Sequence, residues 1–200
     1  MLMHLILEGR LEEFVAEKLL TYCGHQKGNV YGLQGCKYIQ NKVALFHKLA
    51  TENVGVLVLT DFMDSHSPCP VHALNTYLLQ RIANPSRTFL CRFAVPELES
   101  WLIADRKKLA DFLKISIGNI PTKPDELPDP KQRLVNLARK SKKTSIRESI
   151  VPEKSHRGVV APDYLLTMRN FVTNHWEIAA AVKNSPSLAR CIDRLQQLNS

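Results

Sequence analysis

The stretch Val54-Gly-Val-Leu-Val-Leu-Thr60 constrains the fold more than any other part of the chain. It is apolar on successive residues and rich in β-branched ones, so it reads as a strand buried on both faces. A strand of that kind sits in the middle of a parallel sheet, because parallel connections cross over a face and cover it with helices. The neighbouring segments fit this reading. Met3-His-Leu-Ile-Leu-Glu8 reads as a short buried strand, Gly9-Arg10 turns the chain, and Leu11, Phe14, Val15 and Leu19 recur at helical spacing. The glycine-rich residues 24–37 hold a loop with a short strand around Val30. Helices are expected over 38–51 and 71–84, a strand over Arg87–Val95, and a helix over Trp101–Phe112. Alternation of this kind predicts the α/β class, with a mainly parallel, Rossmann-like sheet flanked by helices.

Beyond residue 112 the pattern changes. Ile120–Pro130 carries four prolines and reads as a linker or extended loop. The expected organisation is an α/β domain over 1–119, a proline-containing linker and basic segment over 120–161, and a C-terminal helical extension over 162–200 packing on the same domain. Charge concentrates in the middle piece. Residues 131–157 hold nine basic side chains against two acidic ones, which is +7 of the chain's formal +8. Arg139, Lys140, Lys142, Lys143, Arg147, Lys154 and Arg157 are therefore the candidate contacts to a polyphosphate such as nucleic acid, whose binding is driven by counterion release. A solvated basic linker would have the same composition.

Several classes are excluded. No apolar run approaches the ~18 residues of a membrane span, so no membrane association is expected. Glu8, Glu12 and Glu13 arrive too early for a secretory signal. The five cysteines are odd in number and form no CxxC pair, which excludes a disulfide framework and a thiolate zinc site and points to a cytoplasmic setting.

Three expected strands run into carboxylates: Glu8, then Asp61 with Asp64, then Glu97 with Glu99. In an open parallel sheet, ligands bind beyond the carboxyl ends of the strands. Acids gathered there repel one another unless a divalent cation lies among them, and hard oxygen donors suit Mg²⁺ or Mn²⁺. The weaker candidates are soon set aside. His66, Cys69 and His72 could ligate zinc, but no second cluster completes a site, and His66 would instead touch substrate. Gly32-Leu-Gln-Gly35-Cys-Lys37 lacks the Gly-Lys-Ser/Thr of a phosphate loop. Trp101 reads as a core anchor.

Glu8-Gly9-x-x-Glu12 after the first strand, followed by an aspartate pair after an apolar strand, resembles the Toprim domain of bacterial primases, topoisomerases and overcoming-lysogenization-defect (OLD) nucleases. Phe93-Ala-Val-Pro-Glu-Leu-Glu99-Ser-Trp101-Leu-Ile-Ala-Asp105 is similar to the Glu-x-Trp-x-x-x-Asp stretch of a bacterial Toprim-like family catalogued as a domain of unknown function. Lys154-Ser-His-Arg-Gly158 and Ser185-Pro-Ser-Leu188 fit the same family, so the resemblance spans nearly the whole chain. It implies a Toprim-like fold in which Glu8 assists acid/base chemistry and Asp61 and Asp64 hold metal. Glu12 would serve a second metal, and Glu99 matches the family's glutamate before tryptophan. The implied reaction is Mg²⁺- or Mn²⁺-dependent cleavage of nucleic-acid phosphodiesters, in a setting such as phage defence. The alternative is a non-catalytic partner or regulatory subunit beside an ATPase, since the chain itself carries no ATP-binding motif. One departure stands out: Toprim domains carry Asp-x-Asp, and here the spacing is Asp61-Phe-Met-Asp64, so Asp64 reaches the site only from the loop.

Overall fold

The computed structural model describes residues 1–63, 67–153 and 157–199. The chain forms two compact units: Met1–Val95 together with Ser187–Ser200, and Pro96–Pro186.

The first unit is built on a four-stranded sheet of β1 (Leu2–Leu7), β2 (Gln26–Gly32), β3 (Val54–Asp61) and β4 (Phe89–Ala94). All pairings are parallel and the order is β2-β1-β3-β4. This is the α/β sheet that the apolar strand requires, and β1 and β3 occupy its centre. Alternate residues point to opposite faces. On one face Ile6, Val56, Val58, Phe89, Cys91 and Phe93 pack with Ile39, Val43 and Phe46 of α2 (Cys36–His47). On the other, Met3, Leu5, Leu7, Leu57 and Leu59 are buried. There α1 (Arg10–Tyr22) turns Leu11, Val15, Ala16, Leu19 and Leu20 inward at helical spacing. The helix after β3 begins as α3 (Pro70–Ala73) and continues as a π-helical stretch, Leu74–Leu79.

The chain returns to this unit at its end. In α10 (Pro186–Gln196), Leu188, Cys191, Ile192 and Leu195 recur at the period of a buried stripe. His25 Nε2 meets the Leu195 carbonyl at 2.8 Å, and Asn199 Nδ2 donates to the Cys23 carbonyl at 2.7 Å, tying the tail to the α1–β2 turn.

The second unit is helical: α4 (Leu98–Ala104), α5 (Arg106–Leu113), α6 (Pro130–Ala138), α7 (Thr144–Ile150), α8 (Tyr164–Asn174) and α9 (Ile178–Ala181). Here the structure corrects the expected organisation. The first unit stops at Val95 rather than at 119, and only residues 187–200 of the expected C-terminal extension return to it. Residues 120–161 are not a linker, since they contribute α6 and α7 and bury Leu134, Val135, Leu137 and Ile150. The prolines misled because two of them start structure instead of breaking it. Pro130 is the first residue of α6, behind an Asp129 side chain that caps Gln132 N–H, and Pro124 opens a 3₁₀ turn. The single helix expected over Trp101–Phe112 divides at Asp105, which caps α5.

Candidate functional site

With the order β2-β1-β3-β4, the chain leaves β1 toward one edge and later returns on its other side, so the topological switch lies between β1 and β3. That is where an open parallel sheet forms a crevice beyond its strand ends. Glu8 follows the last residue of β1 and Asp61 is the last residue of β3. The two are joined directly: the Asp61 backbone N–H donates to Glu8 Oε1 at 3.1 Å. Asp61 is buried, at 8 % exposure. Thr60, one residue past the Leu59 that pairs with Leu7, is fully buried, and among the described residues its Oγ1 has no hydrogen-bond partner.

Local sequence fixes this geometry. After β2 the chain needs a left-handed turn, and Gly32 (φ 90°), Leu33 (φ 59°) and Gly35 (φ 79°) supply it. The turn folds over the end of β1. Leu33 N–H donates to the Leu7 carbonyl at 2.7 Å and Gly35 N–H to the Glu8 carbonyl at 3.2 Å, which pins the main chain of Glu8. The glycines serve backbone shape here, as the absent Gly-Lys-Ser/Thr implies. Gly9 precedes α1, and a Cβ there would lie 3.0 Å from Glu12 Oε2. The missing side chain lets the Glu12 carboxylate fold back over the start of the helix, where negative charge is favoured.

Glu8, Glu12 and Asp61 thus gather at one end of the first unit. Asp64, the second aspartate of the expected pair, lies outside the described residues, as does His66. Cys69 and His72 are used locally: Cys69 Sγ accepts His72 N–H at the start of α3, and Ser67 Oγ meets His72 Nδ1 at 2.6 Å. Among the described residues no three His, Cys, Asp or Glu side chains are grouped to hold a metal ion. Mg²⁺ keeps several waters and takes one or two carboxylates plus substrate oxygens, so Glu8 and Asp61 are donors of the right chemistry for it. Among the described residues the buried Thr60 hydroxyl is unsatisfied, and Thr60 precedes Asp61 in β3.

Glu99 belongs to the second unit. It is 2 % exposed, accepts the Tyr164 hydroxyl at 2.9 Å, and lies 3.5 Å from Lys131 Nζ. Glu97 accepts Lys131 N–H at 3.0 Å with the Lys131 ammonium 3.8 Å away, and burial pushes its carboxyl above the usual range despite that cation. The whole Glu-x-Trp-x-x-x-Asp stretch has a packing role in this unit. Trp101 is fully buried and its carbonyl accepts Trp176 Nε1–H at 3.1 Å. Asp105 accepts Lys108 N–H at 3.2 Å and Glu177 N–H at 2.7 Å, and Asn184 Nδ2 donates to the Ala104 carbonyl at 2.9 Å.

The basic window is partly spent on structure. Arg133 donates to the Asn119 carbonyl, Lys140 to Asn119 Oδ1, Arg139 to Asn136 Oδ1, and Arg147 to the Ser141 carbonyl and Thr144 Oγ1. Lys142, Lys143 and Arg157 are exposed, and Lys154 lies outside the described residues. Sequence reading missed Thr60, Tyr164 and the structural use of Lys131. Nothing local announces contacts that span 65 residues, as between Glu99 and Tyr164.

Residues 6–196 match the family described as Domain of unknown function (DUF4276). A search of curated proteins finds no match. Among solved structures, the C-terminal region of the Burkholderia pseudomallei OLD protein superposes with a TM-score of 0.49 at 14 % identity, over 99 % of this chain and 98 % of that one.

Proposed function

The chain belongs to the DUF4276 family, and we propose that it binds a divalent cation at the switch between β1 and β3 and processes nucleic-acid phosphodiesters there. The observation that carries this reading is the bond between Asp61 N–H and Glu8 Oε1, which holds two acids from distant parts of the chain at the point where parallel sheets bind ligands. The resemblance of Glu8-Gly9-x-x-Glu12 and of the later aspartates to a Toprim domain supports it. Glu8 and Asp61 would hold Mg²⁺ or Mn²⁺, with Asp64 and Glu12 as further candidates. When bound, the cation supplies charge neutralisation at the phosphoryl oxygens and a more acidic water. Glu8, held through Oε1 and through its pinned carbonyl, would take a proton from an attacking water. Exposed Lys142, Lys143 and Arg157 would add phosphate contacts that do not read sequence.

Calorimetry with Mn²⁺ tests this on wild type, Glu8→Gln and Asp61→Asn. Both changes remove charge while keeping shape, and the side-chain amide of Glu8→Gln retains an oxygen to accept from Asp61 N–H. The expected result is binding by wild type and a loss of at least about tenfold in each variant. Wild type that binds no Mn²⁺, even with single-stranded DNA present, overturns the metal reading and favours a non-catalytic partner protein.

A further inference from the structure

β4 is an edge strand, and Arg92 stands in it between Cys91 and Phe93, both of which face the α2 side. Strand alternation turns Arg92 to the opposite face. There Arg190 and Arg194, one turn apart on α10, are near enough to repel it, with the Cys191 thiol between them in sequence. Burial makes the charge of Arg92 harder to hold, and among the described residues its buried Nε has no acceptor. Among the described residues no carboxylate lies within ion-pair distance of Arg87, Arg92, Arg190 or Arg194. Arg194 Nη1 donates to a neutral group, Gln197 Oε1, at 2.8 Å.

Two cavities flank this arginine. One, of 140 Å³, is lined by Arg92, Arg190 and Ser187; the other, of 220 Å³, by Arg92, Arg87 and Arg194. Leu74 and Cys91 line both, so the two run along the same strand edge. Exposed arginines need no partner, because water solvates them. A part-buried guanidinium among other cations is different: it is desolvated, repelled and left with an unmade hydrogen bond. An anion held by several guanidinium forks removes all three costs, and forks match the paired oxygens of a phosphate group.

We infer that Arg87, Arg92, Arg190 and Arg194 form a binding site for phosphate groups along the free edge of β4. It stands whether or not the acids bind metal. It also has a place in the reading above, since Arg92 pairs in register with Leu59, two residues before Asp61 on the adjacent strand. A polymer phosphate held there would lie beside the end of β3.

The test is calorimetry with inorganic pyrophosphate in low salt and EDTA, so that no metal contributes. Wild type is expected to bind. The Arg190→Gln/Arg194→Gln double variant, changed only at exposed positions, should lose at least about tenfold, and Arg92→Lys, which keeps charge without the fork, should also weaken. Wild-type binding that persists in EDTA separates this site from the metal proposal. Displacement of pyrophosphate by a short oligothymidylate below the concentration needed with AMP identifies a polymer backbone as the source of the phosphate, and the reverse order identifies a mononucleotide. No binding by wild type at millimolar pyrophosphate, or full affinity in the double variant, overturns the inference.

Discussion

Replacing Asp105 by alanine examines the idea that the Glu-x-Trp-x-x-x-Asp stretch is a clamp of the second unit. Asp105 is 1 % exposed and joins two helix starts: Oδ1 accepts from Lys108 in α5, and Oδ2 accepts from Glu177, which precedes α9. Loss of the cap costs about 1 kcal/mol. The Glu177 N–H loses a short acceptor, which costs about 1–2 kcal/mol more because that group is only partly buried. Relief of a buried carboxylate offsets some of this at neutral pH. A net loss of about 2 kcal/mol follows, or roughly 4–8 °C in Tm for a chain of this size.

Both tryptophans of the chain, Trp101 and Trp176, lie in the second unit, so urea unfolding followed by their fluorescence reads this unit directly. The pH dependence has a definite sign. Burial raises the Asp105 carboxyl above its ordinary value and outweighs the two N–H bonds that would lower it. A carboxyl whose folded pKa exceeds the unfolded one contributes stability that is complete below the unfolded value, about 3.9, and is lost as pH rises through the folded value. The gap between wild type and Asp105→Ala should therefore shrink from pH 4.5 to pH 7 (roughly the upper flank of that titration). A gap under about 0.5 kcal/mol would refute the clamp, and a gap that widens with pH would show that the N–H bonds, not burial, govern Asp105.

Two other outcomes are expected. Gly32→Ala places a Cβ against the Leu7 carbonyl at a backbone φ of 90°, so it should cost at least about 2 kcal/mol in denaturant melts and weaken Mn²⁺ binding by disturbing Glu8; a change below about 0.5 kcal/mol would mean that the turn is not under this constraint. Of the five thiols, burial pushes Cys23 up to about 11 and Cys191 up to about 12, and raises Cys91 as well, so a disulfide reagent at pH 8 should titrate Cys36 and Cys69 in native protein and all five after denaturation, whereas fast reaction of all five in native protein would contradict the burial.

The sheet was legible from residues alone because burial on both faces forces a continuous apolar strand, and Val54–Thr60 admits no other use. The α1 stripe and the carboxylates after β1 and β3 were legible for the same reason, that period and strand ends are written locally. The parallel order β2-β1-β3-β4, and with it the switch point beside Glu8 and Asp61, was decided only by tertiary pairing. Tertiary packing also reassigned residues whose chemistry the sequence states but whose neighbours it does not. Lys131, counted among the basic residues, lies against Glu97 and Glu99; Asp105, near the end of a motif, caps two helices; Arg92, unremarkable within an apolar strand, faces two further arginines from a helix nearly a hundred residues away. Periodicity and composition are properties of neighbours along the chain. The charge and solvation of a side chain depend on neighbours in space, and those exist only once the chain has folded.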